Sequence, residues 1–399
     1  GRGVLLSAKR TKSSKKLGAG RTQGSLPALS SLLDVPAFEQ LTPSSDQTQA
    51  YTDVVSELEA QGVSRQTITM ACVVRLDRGF PAVVSEQGVF RAEFAARVTK
   101  GQNSTVAVGD WVCARIPDSH DMGIIEAILP RETDIARWKG GARGQKQTLA
   151  ANVDLVLVVQ ALDGEAVSVD RIVRSAVISK DCGAACAVVL TKSDVAGPEL
   201  LAQEISSITA ALGSTVKIVA TASKLEGEKT DALADLAQTA QKFGAAWGID
   251  AVRSLVPYGS VAIVLGESGA GKSTLLNALL GHEALETGEV RESDKAGRHT
   301  TVARRMVALP DAGVIVDEPG LRSLPIVGHE RGLQKIFPHI SEAAQTCKFR
   351  DCTHTHEPGC SVQDALHEGK ITEPQLKAYL SLAKEMRESQ QSLDPDVVL

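Results

Sequence analysis

One stretch in the second half of the chain has the residue types and the spacing of a phosphate-binding loop. It follows the pattern G-x-x-x-x-G-K-S and consists of Gly266, Glu267, Ser268, Gly269, Ala270, Gly271, Lys272 and Ser273, with Thr274 next. Small residues let consecutive backbone N–H groups curl around a phosphate, while Lys272 can reach the β- and γ-phosphates and Ser273 can bind magnesium. The pattern predicts a site for a nucleoside triphosphate with Mg²⁺, the alternative being a chance glycine-rich turn.

A second stretch has the residue types needed to select the base of the nucleotide, namely Thr191-Lys192-Ser193-Asp194. The Asp194 carboxylate can accept hydrogen bonds from N1–H and the exocyclic amine of guanine, two donors that adenine does not offer together. The aliphatic stem of Lys192 can lie along the base. Thr221 and Ala222 follow the next predicted strand, where a backbone N–H could contact guanine O6. Together they predict specificity for guanine.

Two further stretches have the pattern of γ-phosphate-sensing switches. After the loop comes Gly297-Arg298-His299-Thr300-Thr301, whose threonines could close on magnesium and the γ-phosphate. The second is Asp317-Glu318-Pro319-Gly320, where Asp317 would hold magnesium through a water and the Gly320 N–H would contact the γ-phosphate. Their joint occurrence with the loop and the guanine motif predicts a GTP-hydrolysing site that binds GTP and GDP.

A cluster of Cys347, Cys352, His354 and Cys360 predicts a metal site. Three thiolates and one imidazole match a closed tetrahedral zinc site, which is structural because no position is left for water. His356 is a spare candidate for the nitrogen ligand. The chain has seven cysteines, an odd number, and their clustering favours a reducing compartment over a disulfide framework.

The elements that must position these residues follow an α/β pattern. Apolar runs of strand length lie at 153–159, 187–190, 217–219, 261–265 and 314–316, with helical stretches at 169–178, 198–212 and 230–243. This alternation predicts a parallel sheet covered on both faces, with ligands beyond the carboxyl ends of the strands. The guanine motif precedes the phosphate loop, the reverse of the usual GTPase order. The spacing therefore predicts a circularly permuted domain over 132–330.

The preceding residues, 65–131, show short strands with alternating polarity at 67–76, 81–84, 89–94, 111–116 and 123–129. Five such strands predict a small all-β barrel of the oligonucleotide-binding (OB) type, although another small barrel fits the periodicity equally. RNA binding by this barrel is an inference from the fold type. Its aromatic residues could stack on bases or fill the core, and they are Phe80, Phe90, Phe94 and Trp111.

The two ends of the chain differ from the middle. Residues 1–64 are predicted to be a basic disordered arm followed by a linker with a short helix near 51–61. The arm could bind nucleic acid through its positive charge, or it could be only a solvated tail. A Gly-rich connector after the barrel carries five basic residues that could contact phosphates or only solvent, namely Arg131, Arg137, Lys139, Arg143 and Lys146. Residues 331–399 are predicted to form a small α-helical zinc-binding domain with an amphipathic helix from 372.

The whole chain has an ordinary soluble composition. It has 399 residues, enough for several domains, with 43% hydrophobic and 23% charged residues and a net charge of −5. No apolar run reaches membrane-spanning length and no signal peptide is apparent. We expect a cytoplasmic monomer that does not associate with a membrane.

The combination of a barrel, a permuted GTPase and a Cys-x4-Cys-x-His-x5-Cys module resembles the ribosome small-subunit-dependent GTPase A family over about residues 65–390. The resemblance implies GTP hydrolysis stimulated by the small (30S) subunit, binding to its 16S rRNA, and release from the late maturing particle after hydrolysis. This sequence departs from the family pattern at Thr191, Glu318 and Val302, where Asn, Thr and Thr are commoner.

The resemblance also bears on how the attacking water would be oriented. Leu321 follows Gly320, where many GTPases carry a glutamine for this purpose. By resemblance His299 is the candidate, and an equally weighted alternative is that His299 docks on ribosomal RNA.

Two other functions remain open from the residues alone. A P-loop ATPase or small-molecule kinase would also use the phosphate loop but would have no use for Asp194. An RNA-binding module could use the nucleotide only for structure and hydrolyse little of it.

Overall fold

The computed structural model describes residues 29, 32–77, 80–101, 105–139, 145–163, 167–222, 231–283, 304–318, 321, 326 and 328–393. Within these ranges, no helix combines the length and the apolar composition needed to cross a bilayer.

Five strands close into the predicted OB-type barrel. They are β1 (Ile68–Leu76), β2 (Ala82–Ser85), β3 (Gly88–Phe94), β4 (Trp111–Arg115) and β5 (Gly123–Ile128), with a short helix α2 (Ala96–Gly101) after β3. The pairing order is β1-β2-β3-β5-β4, and β4 pairs back with β1. The β3–β5 pair is parallel and the others are antiparallel. A core of small aliphatic side chains fills the barrel, including Val73, Val83, Val112 and Ile125.

The aromatic residues of the barrel are mostly structural. Trp111 is buried, with Phe38 from the N-terminal segment against its edge. Phe90 and Phe94 pack against the barrel core. Phe80 is exposed.

The segment after the barrel is a β-hairpin, so its interpretation as a connector was wrong. Strand β6 (Asp134–Lys139) pairs antiparallel with β7 (Gln145–Ala151). Arg131 at its base is not available to phosphates, because its guanidinium contacts Asp110 at 2.7 Å and Thr148 at 2.8 Å. Asp110 is fully buried, so the ion pair ties the barrel to the hairpin.

The segment before the barrel is also more ordered than predicted. Helix α1 (Ser45–Ala60) begins at a capping box in which Ser44 and Gln47 bond each other's backbone N–H groups. Val55 and Leu58 are buried on one of its faces. The linker interpretation is therefore wrong for residues 45–60, because the apolar face of this helix packs on the core.

A mostly parallel sheet forms the second unit of the fold. Its strands are β8 (Leu155–Ala161), β9 (Ala185–Thr191), β10 (Lys217–Ala220), β11 (Ala246–Trp247), β12 (Val261–Leu265), β13 (Arg304–Ala308) and β14 (Val314–Asp317), in the order β11-β10-β9-β8-β12-β14-β13. Only β13 runs antiparallel to its neighbour in this set. The helices of this unit are α3 (Val169–Asp181), α4 (Ser193–Leu212), α5 (Asp231–Lys242), α6 (Ile249–Ser254) and α7 (Lys272–Leu280). The predicted α/β architecture is confirmed.

The barrel and the parallel sheet share one twelve-stranded sheet. The link is the edge strand β13, which pairs with β14 on one side and with barrel strand β1 on the other. The pairing with β1 is short, with Arg305 opposite Arg75 and Arg304 opposite Leu76. The sequence pattern did not predict β13 or this link.

Within residues 328–393, the structure describes four further helices, namely α8 (Glu330–Ile336), α9 (Pro338–Ala344), α10 (Ser361–His367) and α11 (Glu373–Leu393). Helix α8 packs closely on α3, because a Cβ at Gly332 would lie 2.1 Å from the Val177 carbonyl oxygen. His329 Nδ1 lies 2.7 Å from Asp181 Oδ2 at the same contact. Helix α11 buries Leu382 and Met386, and it contacts α3 and α4. The C-terminal helices therefore pack on the parallel sheet's helical layer.

Candidate nucleotide site and metal centre

The phosphate loop connects the end of β12 to the start of α7, as predicted. Gly266 leaves β12 where a Cβ would lie 2.7 Å from the Val159 carbonyl oxygen, so a larger residue would collide with the neighbouring strand. Gly269 and Gly271 have φ values of +82° and +83°, which only glycine adopts without strain. The Lys272 ammonium donates to the Glu267 carbonyl at 2.9 Å and also to the Gly266 carbonyl. The loop is folded around the lysine that the sequence assigns to phosphates.

The guanine motif lies directly against this loop. Thr191 ends β9, and its hydroxyl donates to the Ala270 carbonyl at 2.7 Å across 79 residues of sequence. The Lys192 ammonium donates to the Gly269 carbonyl at 2.9 Å. Lys192 has a φ of +59°, a left-handed turn that separates β9 from α4. The two motifs are thus brought together although their order along the chain is reversed.

The residues predicted to select the base lie around the start of α4. Asp194 lies in the first turn of α4 and is exposed. The Ser193 N–H donates to the Thr221 carbonyl at 3.0 Å, which ties this turn to the end of β10. Thr221 and Ala222 are buried. The end of β10 is therefore adjacent to the turn that carries Asp194.

The second switch begins where β14 ends, beside two arginines that no sequence motif indicated. Arg304 Nε lies 2.7 Å from the Glu318 carboxylate, and Arg305 Nε lies 3.7 Å from Asp317 Oδ2. Burial raises the pKa of Glu318 above its ordinary value, and Arg304 acts against that rise. Both arginines come from β13, which pairs with β14, so their position follows from a strand that the sequence did not predict.

Several predicted switch residues lie outside the described residues. They are Gly297, Arg298, His299, Thr300, Thr301, Pro319 and Gly320. Asp317 and Glu318 are the described part of the second switch.

The four predicted ligands of the cysteine cluster lie close enough together to hold one metal ion. The ligand atoms of Cys347, Cys352, His354 and Cys360 all lie within 4.8 Å of one another. His354 Nδ1 is 3.5 Å from Cys347 Sγ and 3.6 Å from Cys360 Sγ. Zinc bonds of about 2.3 Å to sulfur and about 2.0 Å to nitrogen place tetrahedral ligands at about these separations. The donor set therefore fits zinc.

His354 and not His356 belongs to this cluster, as the spacing predicted. His354 has a φ of +61°, and burial lowers its pKa, which favours the neutral imidazole that binds a metal. His356 Nδ1 instead lies 2.9 Å from the Thr355 hydroxyl. Glu357 bonds the Thr353 hydroxyl and N–H and holds the turn between the ligands, and these bonds lower the pKa of its carboxyl.

Comparison with known proteins identifies the family to which this geometry belongs. Residues 128–243 and 239–327 match the RsgA GTPase family model. The small ribosomal subunit biogenesis GTPase RsgA of Leptospira interrogans is 36% identical over 320 residues, which cover 79% of this chain and 82% of the relative. The protein of the same name from Streptomyces coelicolor is 38% identical over 315 residues, which cover 78% and 79%.

This chain belongs to the RsgA GTPase family. It is therefore a GTP hydrolase that binds guanine nucleotides. Two solved structures share the fold. YjeQ from Thermotoga maritima has a TM-score of 0.56 and 23% identity, and the match covers 80% of this chain and 99% of YjeQ. YloQ, described as a circularly permuted GTPase, has a TM-score of 0.53 and 20% identity, and the match covers 81% of this chain and 96% of YloQ. The predicted circular permutation is confirmed.

One contact of the phosphate loop in this RsgA-family chain was not predicted from the sequence. Arg171, in the first turn of α3, lies 3.0 Å from the Glu267 carboxylate. A signal existed, because α3 follows β8 and residues beyond the carboxyl end of a parallel strand face the ligand site. The pairing itself could not be predicted, since it depends on how α3 is rotated against the loop.

Proposed function

We propose that this chain acts in the biogenesis of the small ribosomal subunit, the process named in its relatives. In this proposal it binds the 30S subunit, and GTP hydrolysis is coupled to late maturation and to its own release. The observation that carries the nucleotide part is the Thr191 hydrogen bond to the Ala270 carbonyl, which joins the guanine motif to the phosphate loop. The ribosomal part rests on family membership.

For the nucleotide we propose a division of roles among the residues of the site. Lys272 would exchange its loop carbonyls for the β- and γ-phosphates, and Asp194 would accept from guanine. Ser273, and Asp317 through a water, would hold Mg²⁺, which would neutralise charge that develops on the phosphates. Backbone N–H groups of the loop would bind phosphate oxygens, with Thr191, Lys192, Thr221 and Ala222 forming the base pocket. Thr300, Thr301 and Gly320 would respond to the γ-phosphate.

We propose that the cysteine cluster holds one structural Zn²⁺. Cys347, Cys352, His354 and Cys360 would be its ligands, and the metal would fix the loops between α9 and α10 in place of a larger core. We also propose that four units divide the chain, at 1–64, 65–131, 132–330 and 331–399, with residues 45–60 packed as part of the fold.

We propose 16S rRNA as the contact of the barrel and the basic arm. Several barrel arginines are already paired with acidic residues: Arg75 and Arg91 with Asp77, and Arg97 and Arg115 with Glu126. The arm, residues 1–24, has basic residues and no acidic residue, and this one-signed positive charge suits binding to phosphates. A factor of this kind would work as a monomer in the cytoplasm.

The deciding experiment measures GTP hydrolysis with and without purified 30S subunits. The expected result is slow hydrolysis by the protein alone and a rate at least about tenfold higher with subunits, because an incomplete site is completed on binding. ATP serves as the competing nucleotide. Equal turnover of ATP would indicate the ATPase or kinase alternative, and hydrolysis that subunits do not change would refute the coupling.

A further inference from the structure

The first turns of α3 lie between the phosphate loop and the C-terminal helix. Arg171 Nη1 is 3.0 Å from Glu267 Oε2 in the loop. One turn later, Arg174 Nη2 is 2.6 Å from Glu385 Oε2 in α11. These two arginines share one helix, yet only Arg171 of the pair contacts the nucleotide site.

Glu267 places a negative charge in a loop that must bind a polyanion. Its backbone carbonyl is 2.9 Å from the Lys272 ammonium, so the residue lies beside the cation assigned to the phosphates. Its side chain is 55% exposed. Charges within a Debye length, about 8 Å at physiological ionic strength, are not fully screened. An uncompensated Glu267 carboxylate would repel the phosphates of GTP.

Arg171 is well placed to cancel this charge. Helix α3 is capped by Ser168, and it is anchored by Ile172 and Val173, which are fully buried. The backbone of Arg171 is therefore fixed, and its side chain reaches outward to the loop with 30% exposure. A half-exposed pair of this kind adds little to folding stability. The pair does, however, place a positive charge beside a negative one at the edge of the phosphate loop.

We propose that Arg171 is a positioning residue that neutralises Glu267 and so sets the affinity of the phosphate loop for GTP. The proposal rests on the assignment of this loop to GTP binding. Because Coulomb repulsion grows with ligand charge, the contribution is larger for GTP than for GDP. Arg171 acts through Glu267, so its removal matters only while Glu267 carries its charge.

The test is a double-mutant cycle read out by equilibrium binding of a non-hydrolysable GTP analogue and of GDP to the full chain. Arg171→Gln is expected to weaken analogue binding about fivefold and GDP binding about twofold. Glu267→Gln in the same chain is expected to restore analogue binding to within about twofold of the unsubstituted protein. Arg171→Lys, which keeps the charge, is expected to retain most of the affinity.

Arg174→Gln is the matched control, because it removes an arginine from the next turn of α3 that pairs with α11. Its analogue affinity is expected to equal that of the unsubstituted protein. The loss in Arg171→Gln is expected to shrink at high KCl, where charge repulsion is screened.

Two results would overturn the proposal. One is unchanged analogue binding by Arg171→Gln. The other is a double variant that binds as weakly as Arg171→Gln, which would mean that Arg171 acts by a route other than Glu267. Failure of the unsubstituted protein to bind GTP would instead refute the assignment of the loop, so the two failures are distinguishable.

Discussion

At the scale of single residues, Thr191 explains how a permuted chain retains one nucleotide site. Its hydroxyl donates to the Ala270 carbonyl, so the end of β9 is fixed against the phosphate loop. The family pattern has asparagine at this position more often, and the threonine keeps a hydrogen-bond donor there. Threonine in place of asparagine is therefore compatible with a guanine motif that is hydrogen-bonded to the phosphate loop.

The base pocket yields a test of nucleotide specificity at Asp194. Asparagine would offer one acceptor and one donor in place of two acceptors, so Asp194→Asn is expected to weaken GTP binding by about 10- to 100-fold. Xanthosine triphosphate carries a carbonyl where guanine carries its amine, and it is expected to bind this variant better than GTP does. Competition binding with GTP, ATP and XTP measures both effects. Unchanged GTP affinity would contradict the role of Asp194.

His299 is a second residue whose role can be separated from binding. We predict that His299→Ala abolishes subunit-stimulated GTP turnover and leaves GTP affinity unchanged, since the residue would orient water and not the nucleotide. Stimulated hydrolysis and nucleotide affinity are measured on the same preparation. Unchanged stimulated turnover would exclude a catalytic role, and loss of 30S binding would indicate RNA docking.

At the scale of elements, the contact between α8 and α3 determines how the segment after the second switch is anchored. Gly332 lies against the Val177 carbonyl, and His329 bonds Asp181 beside it. Lys335 Nζ donates to the Lys180 carbonyl at 3.2 Å on the same side. The chain that follows the second switch is therefore fixed to α3 where α8 begins.

This contact predicts a specific cost for adding one methyl group. Gly332→Ala is expected to reduce stability by about 1–3 kcal/mol, because the new Cβ would collide with backbone and force α8 away from α3. Thermal or urea unfolding measures the loss. The control is Gln334→Ala in the same helix, an exposed position expected to change stability by less than about 0.5 kcal/mol. Equal stability of the two variants would contradict the close contact.

Element type could be predicted where local patterns and tertiary packing agree. The five barrel strands and the strands β8, β9, β10, β12 and β14 lie within a few residues of their predicted positions. Helix α1 was predicted too short, because its polar sequence conceals a narrow apolar stripe that packs only in the folded chain. The β6–β7 hairpin was missed because its basic and Gly-rich residues resemble a linker, and Arg131 shows that their role is set by a partner 21 residues away.

The candidate site was predictable to a similar depth. The motifs at Thr191, Gly266 and Cys347 could be identified because backbone geometry or metal coordination dictates their residue types. The pairs Arg171 with Glu267 and Arg304 with Glu318 could not, since charged side chains fit many surroundings and only the tertiary structure selects one partner.

At the scale of the whole molecule, the number of reactive thiols measures both metal binding by the cysteine cluster and burial of the other cysteines. The buried thiols of Cys72, Cys113 and Cys186 are expected to remain unreactive in the folded protein, because burial raises the pKa of each, to about 12 for Cys113 and Cys186. The half-buried Cys182 is expected to contribute at most one equivalent.

Removal of zinc is therefore expected to raise the number of reactive thiols by three. Titration with a thiol reagent at pH 8 is expected to give at most one equivalent with metal, up to four after chelation, and seven after unfolding. His356→Ala is the control that should leave these counts unchanged, because His356 lies outside the ligand cluster. Rapid reaction of the cluster thiols before chelation in a zinc-loaded sample would contradict metal ligation.

The shared strand β13 has a mechanical consequence for the assembled molecule. It is joined to β14 by four residue pairs and to barrel strand β1 by only two. Because fewer residue pairs join β13 to β1 than to β14, we expect a load on the barrel to separate β1 from β13 before it separates β13 from β14. The strands that carry the nucleotide would stay in register while the barrel is pulled. A partner that pulls on the barrel would therefore be expected to open this edge of the sheet before it disturbs the pairings of β12, whose end carries the phosphate loop.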